Sequence, residues 1–159
     1  MGIAACDLRQ HVIRPTLLYL GRHSGAAEAL LLGAAACQSA LGSSLDSGRG
    51  HGLFRIDEHR HQQLWDRYLA LDPNLASRVR GLASQHAFLD APHLELTVNL
   101  RYSTAIAWML VESQRLPLPE ACDHLGQARV WRRVFQPHGH LRDFLDAWQA
   151  YIGDSLLAA

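Results

Sequence analysis

The sequence predicts an all-α protein, and three observations carry that expectation. Apolar residues recur at helical spacing near the start, with Leu8, Val12, Ile13, Leu17 and Leu20 on one face. Two long, mainly apolar stretches follow, one from Ala29 to Cys37 and one from Leu94 to Gln114. Only one short stretch, Leu53 to Ile56 (LFRI), reads as extended.

The elements follow in order. Leu8–Leu20 is the first helix, with Pro15 marking a kink or a helix start. Ser24 suits an N-cap, and Glu28 stands near the first turn of the helix that follows. No polar residue occurs between Ala29 and Cys37, so that helix is apolar all round and has to run through the core. Its Gly33 and alanines allow neighbouring helices to approach closely. Leu45 to Gly52 (LDSGRGHG) is the richest turn segment. After it, His59 to Ala70 reads as an amphipathic helix with Leu64, Trp65, Tyr68 and Leu69 inward. Asp72-Pro73 opens another, with Leu75, Val79 and Leu82 on one face. The prolines of LPLP, Leu116 to Pro119, stop the second apolar stretch, and Ala128–Phe135 and Leu141–Ile152 complete the set.

Composition bounds the function. A chain of 159 residues with 48% apolar and 19% charged residues is large enough for one domain with a real core. Fifteen basic residues balance fifteen acidic ones, so no global field recruits nucleic acid or anionic lipid. Ten histidines make that neutrality fragile in mild acid. Cys6, Cys37 and Cys122 are widely spaced with no CxxC pair, which argues against a zinc ribbon or disulfide framework and for a reducing interior. The first residues, MGIAACDLRQ, lack the pattern of a secretory signal, and no apolar run is long enough to cross a bilayer, so a soluble chain is expected.

Five ordered blocks carry more than any of these patterns. LRQHVIRPTLLYLG, AAEALLLGAAACQSALG, GHGLFRIDEHRHQQLWDRYL, NLRYSTAIAWML and VWRRVFQPHG follow, in order, the segments of a small phage-type lytic transglycosylase-like family within the lysozyme superfamily. The resemblance runs from about Leu8 to Ile152. It implies a single lysozyme-like domain over residues 1–159, with a long buried helix and a cleft for a glycan strand.

In that family the buried helix ends in a glutamate followed by serine. Breaking a glycosidic bond requires protonation of the leaving oxygen, and a carboxyl in a partly apolar wall keeps its proton near neutral pH. This chain has Gln38-Ser39 there, and an amide neither gives nor takes a proton usefully. The cleft-lining Gly-Leu-x-Gln-[Met/Ile] segment reads Gly52-Leu53-Phe54-Arg55-Ile56, and a later Tyr-Asn pair reads Phe135-Gln136, followed by Pro137. The resemblance thus makes Gln38 the position of the missing acid, and Ser39, Gly52, Leu53, Arg55, Tyr102, Phe135 and Gln136 the substrate-binding positions. Arg55 could pair with a carboxylate or plug the cleft. Among substitute acids, Glu28 lies about 280° around the helix from Gln38 and faces elsewhere. Asp46, Asp57 and Glu58 remain candidates near the cleft-lining stretch.

Other patterns have plainer readings. His59-Arg60-His61 and His138-Gly139-His140 lack acidic or cysteine partners at ligand spacing, so no metal and no cofactor is expected. Trp65, Trp108, Trp131 and Trp148 stand at core spacing, and Cys37 reads as a small buried hydrophobe. Arg129, Arg132 and Arg133 suit a solvated face rather than a nucleic-acid site.

The expected function is that of a catalytically silent, phage- or prophage-type protein in the bacterial cytoplasm or virion. It would be kept for binding a peptidoglycan glycan strand or a protein partner. The alternatives are an active transglycosylase or muramidase, through a substitute acid or as an engineered Glu-to-Gln variant, and a virion or regulatory protein with no cleft ligand.

Overall fold

The computed structural model describes residues 1–45 and 48–153, and among these the protein is all helical. Among the described residues the one ladder-type contact is an antiparallel bridge between His51 and Ile56. The first helix is one run of three segments: α1 (Ala5–Leu8), a π-helical stretch (Arg9–Ile13) and α2 (Arg14–Tyr19). Pro15 has no N–H to return to the preceding turn, and the chain meets it with a widened turn rather than a break. Leu8, Ile13, Leu17 and Leu20 are fully buried.

Helix α3 (Gly25–Ser39) is the axis of the molecule. Ser24 caps it, its Oγ accepting from Ala27 N at 3.0 Å. Leu30, Leu31, Leu32, Ala34 and Ala35 are all fully buried, as expected of a helix apolar on every side. Gly33 is required by its neighbour, because a Cβ there would come 2.2 Å from Cζ of Phe144. That contact seats α10 (Leu141–Tyr151) directly on α3, with α9 (His124–Val134) packed against both.

LFRI is not extended. Gly52 (φ 77°) and Arg55 (φ 48°) both adopt left-handed backbone, and Arg55 N donates to Gly52 O at 3.1 Å, so the chain turns back and only its flanks pair. Then come α4 (Glu58–Arg67), a short 3₁₀ turn (Leu69–Leu71) and α5 (Pro73–Arg80), with Asp72 Oδ1 accepting from Leu75 N at the α5 start. Helix α6 (Gln85–Asp90), which the sequence reading missed, carries no buried residue.

The second apolar stretch is split into α7 (Glu95–Val98) and α8 (Leu100–Ser113). The cause is Asn99, whose Oδ1 accepts from Tyr102 N at 3.0 Å while its Nδ2 donates to Leu82 O at 2.8 Å and Glu95 Oε2 at 2.9 Å. Among the described residues no helix is long and apolar enough to cross a membrane.

Candidate functional site

The polar end of α3 is stapled to the turn that follows it. Gln38 is only 5% exposed, and its Nε2 donates to Phe54 O at 3.2 Å. Ser39 is buried as well: its Oγ donates to Leu53 O at 2.7 Å and accepts from Gly42 N at 3.0 Å. Two side chains therefore satisfy carbonyls that the tight 52–56 turn leaves without strand partners. Gly52 fixes the turn's seat. A Cβ there would lie 1.7 Å from Leu96 O, and its φ of 77° disfavours any side chain.

Past Ser39 the backbone stays left-handed through Ala40 (φ 50°), Leu41 (φ 55°) and Gly42 (φ 86°). This reverses the chain and brings Ser44 over Arg55, whose Nη2 donates to Ser44 O at 3.3 Å and Ser44 Oγ at 3.0 Å. Non-glycine residues in that region carry strain, and two of them, Ala40 and Arg55, line one cavity.

The cavity is an open cleft of about 390 Å³. Cys37, Gln38, Ser44 and Arg55 line one side, and Asp143 and Asp146 of α10 line the other. Asp143 also accepts from His140 N at 3.0 Å, through the oxygen that closes the start of α10. Burial, with a smaller contribution from the Asp143 charge, pushes the Cys37 thiol up to about 12. The thiol therefore stays protonated and inert as a nucleophile. Fixed amide and hydroxyl groups and two carboxylates suit this cleft to holding a hydroxyl- and amide-rich ligand.

The structure brings together only part of the expected site. Gln38, Ser39 and Arg55 share the cleft, while Gly52 and Leu53 support it through their backbone. Phe135 is 4% exposed and stacks behind the turn on Phe54, with centroids 6.2 Å apart. Gln136 is exposed and does not line the cleft. Tyr102 is fully buried, its hydroxyl held by His61 Nε2 at 2.7 Å and Trp65 Nε1 at 2.9 Å, so it supports packing and touches no cleft ligand.

The substitute acids are also displaced. Asp57 caps α4 through Arg60 N at 2.8 Å, and Glu58 faces His51 Nε2 at 3.1 Å. Glu28 points away from the cleft and binds Arg14 and His23 instead. Asp46 lies outside the described residues. The cleft carboxylates are Asp143 and Asp146, which the sequence reading did not single out. Their signal was present in LRDFLDAW, where two aspartates three apart share a helix face opposed to Phe144 and Trp148.

His61 stands at a second polar cluster. Its Nδ1 lies 2.9 Å from Nδ1 of His93, and His51 stacks on His93 with centroids 6.4 Å apart. Burial, then the neighbouring His93 and His51, lowers the His61 imidazole to about 4.

Fold and site together define an all-α protein with a polar cleft at the end of a buried central helix. No family model matches the chain, and comparisons with curated proteins and with solved structures return no match.

Proposed function

We propose that the chain is a catalytically silent, lysozyme-like protein of phage or prophage type that binds a peptidoglycan glycan strand in the α3–α10 cleft. The observation that carries this reading is Gln38. The end of a buried helix is where a glycan-cleaving acid would stand, and here an amide occupies it, 5% exposed and bonded to Phe54 O. A primary amide has no proton to give the leaving oxygen near neutral pH, whereas its carbonyl can still accept from sugar hydroxyl and acetamido groups. The cleft's hydrogen-bonding groups support the binding half of the proposal.

A second reading has an observation in its favour: Asp143 and Asp146 put carboxyl groups in the same cleft, so a substitute acid would come from α10. Titration of the protein with chitooligosaccharide, followed by amide chemical shifts, tests the binding reading. Shifts confined to residues 37–44, 55 and 143–151 are expected, with weaker binding by Asp146→Asn and tighter binding by Arg55→Gln, which shortens the side chain at the cleft rim. Saturating sugar that leaves those amides unmoved would overturn it.

A further inference from the structure

The proton count in the histidine cluster has one consistent solution. Tyr102 is fully buried and His61 is 1% exposed, so each of their polar hydrogens needs an acceptor within the protein. Trp65 Nε1 can only donate, so it donates to Tyr102 Oη at 2.9 Å. Tyr102 must send its own hydrogen to the remaining neighbour, His61 Nε2 at 2.7 Å. His61 is then protonated on Nδ1 and donates to His93 Nδ1 at 2.9 Å, which leaves His93 carrying its hydrogen on Nε2. Trp65, Tyr102, His61 and His93 form one directed chain with no spare acceptor.

Adding a proton breaks that chain wherever it lands. On His93 Nδ1 it sets two N–H groups head to head. Moving the His61 hydrogen to Nε2 relieves that contact, but Tyr102 Oη then receives two donors and its own hydrogen has no acceptor. Direct protonation of His61 has the same result. The surrounding charges do not rescue it: His51 stacks on His93 and adds positive charge when protonated, and Glu58 is already engaged by His51. Glu95, from α7, is tied to Ser84 and Asn99, and Arg80, from α5, lies over Phe88 at 4.2 Å.

The segment this chain holds has little else to hold it. Helix α6 buries no residue, and its attachments are Phe88, edge-on to Trp65 (5.9 Å) and Tyr102 (5.7 Å) and covered by Arg80, a bond from Arg80 Nη2 to Gln85 O at 3.4 Å, and His93 just beyond. We propose that the His93–His61–Tyr102–Trp65 chain is a proton latch: near neutral pH it holds residues 85–93 against α4 and α8, and in mild acid it lets them go. Release would part Phe88 from Trp65 and Tyr102 and open the cavity of about 320 Å³ that His61 and Trp65 line together with Phe88 and His93.

Hydrogen exchange of the full chain tests this, read as protection factors so that the pH dependence of exchange itself is removed. The amides of Phe88, Ala91 and Leu94, all hydrogen-bonded locally, should lose about tenfold or more in protection between about pH 7.5 and about pH 5, with α3 unchanged. His93→Asn keeps an acceptor where Nδ1 stood but cannot be protonated, so it should shrink the change to the part that His61 alone supplies. Equal loss in that variant, or no loss in the wild type, would overturn the latch. The ring nitrogens of the wild type, read by NMR near neutral pH, give a second check that needs no variant. His61 protonated on Nδ1 and His93 on Nε2 are expected, and the opposite assignment would overturn the proposal.

Discussion

Gly52 and Gln38 decide the cleft at the scale of single residues. Gly52 has a left-handed φ and a backbone oxygen 1.7 Å from where its Cβ would stand, so two independent penalties fall on any substitution. Gly52→Ala should cost about 2–4 kcal/mol by denaturant unfolding, and a cost below about 1 kcal/mol would show that the turn can move off Leu96. Gln38→Glu tests what the site does to a carboxyl. The sequence reading leaves Arg55 able to pair with a carboxylate, which would hold such a group ionised. In the structure the guanidinium is turned to Ser44, and the nearest partner of residue 38 is Phe54 O, an acceptor that bonds only the protonated acid. The new carboxyl should therefore titrate above the usual range for glutamate. A group raised in this way contributes stability below its unfolded value and loses it as pH rises through its folded value. Unfolding of Gln38→Glu should accordingly become easier from mildly acidic to neutral pH relative to wild type. An unchanged difference across that range would contradict the burial of this position.

At the scale of elements, the helices were legible where one residue type enforced them. Ser24, Asp72 and the prolines of LPLP set boundaries that the structure keeps, and the unbroken apolar run of α3 announced a buried helix. Much of what stayed hidden depended on contacts distant in sequence. Asn99 is held at the break in the second apolar stretch by Leu82 O, 17 residues back, which periodicity does not report. LFRI has strand-like residues, yet Gly52 must lie flat on Leu96 and the chain folds back. Asp143 and Asp146 became cleft residues only once Gly33 let α10 settle on α3.

The start of α3 gives a test of its own. Glu28 is 6% exposed and binds Arg14 Nε at 2.5 Å and His23 Nε2 at 3.0 Å. Burial alone would raise its carboxyl, but the bonds from Arg14 and His23 outweigh that and hold it below the usual range. Its contribution is thus full above the ordinary glutamate value and disappears as pH falls through the lowered one. Glu28→Gln should cost about 1–3 kcal/mol at neutral pH, measured by urea unfolding, and the difference from wild type should shrink in acid. A difference that grows in acid would contradict this assignment.

For the whole molecule, the all-α architecture serves to carry one stretch of backbone. The buried axis of α3 ends at Gln38, the turn on Leu96 fixes what faces it, and α10 closes the far side with two carboxylates. An amide at such a point has no proton to transfer, and on the proposed reading it forgoes the about 10²–10⁴-fold in rate that one positioned group is worth. On the proposed reading Arg55 also departs at the cleft itself, so Gln38→Glu alone should recover little activity, and adding Arg55→Gln should recover more. The central claim is binding without cleavage, and incubation of the purified protein with peptidoglycan sacculi measures both at once. The protein should sediment with the sacculi while no muropeptides appear in the supernatant. Muropeptide release at a rate comparable with a lysozyme, particularly release abolished by Asp146→Asn, would contradict the claim and make this an enzyme with its acid on α10.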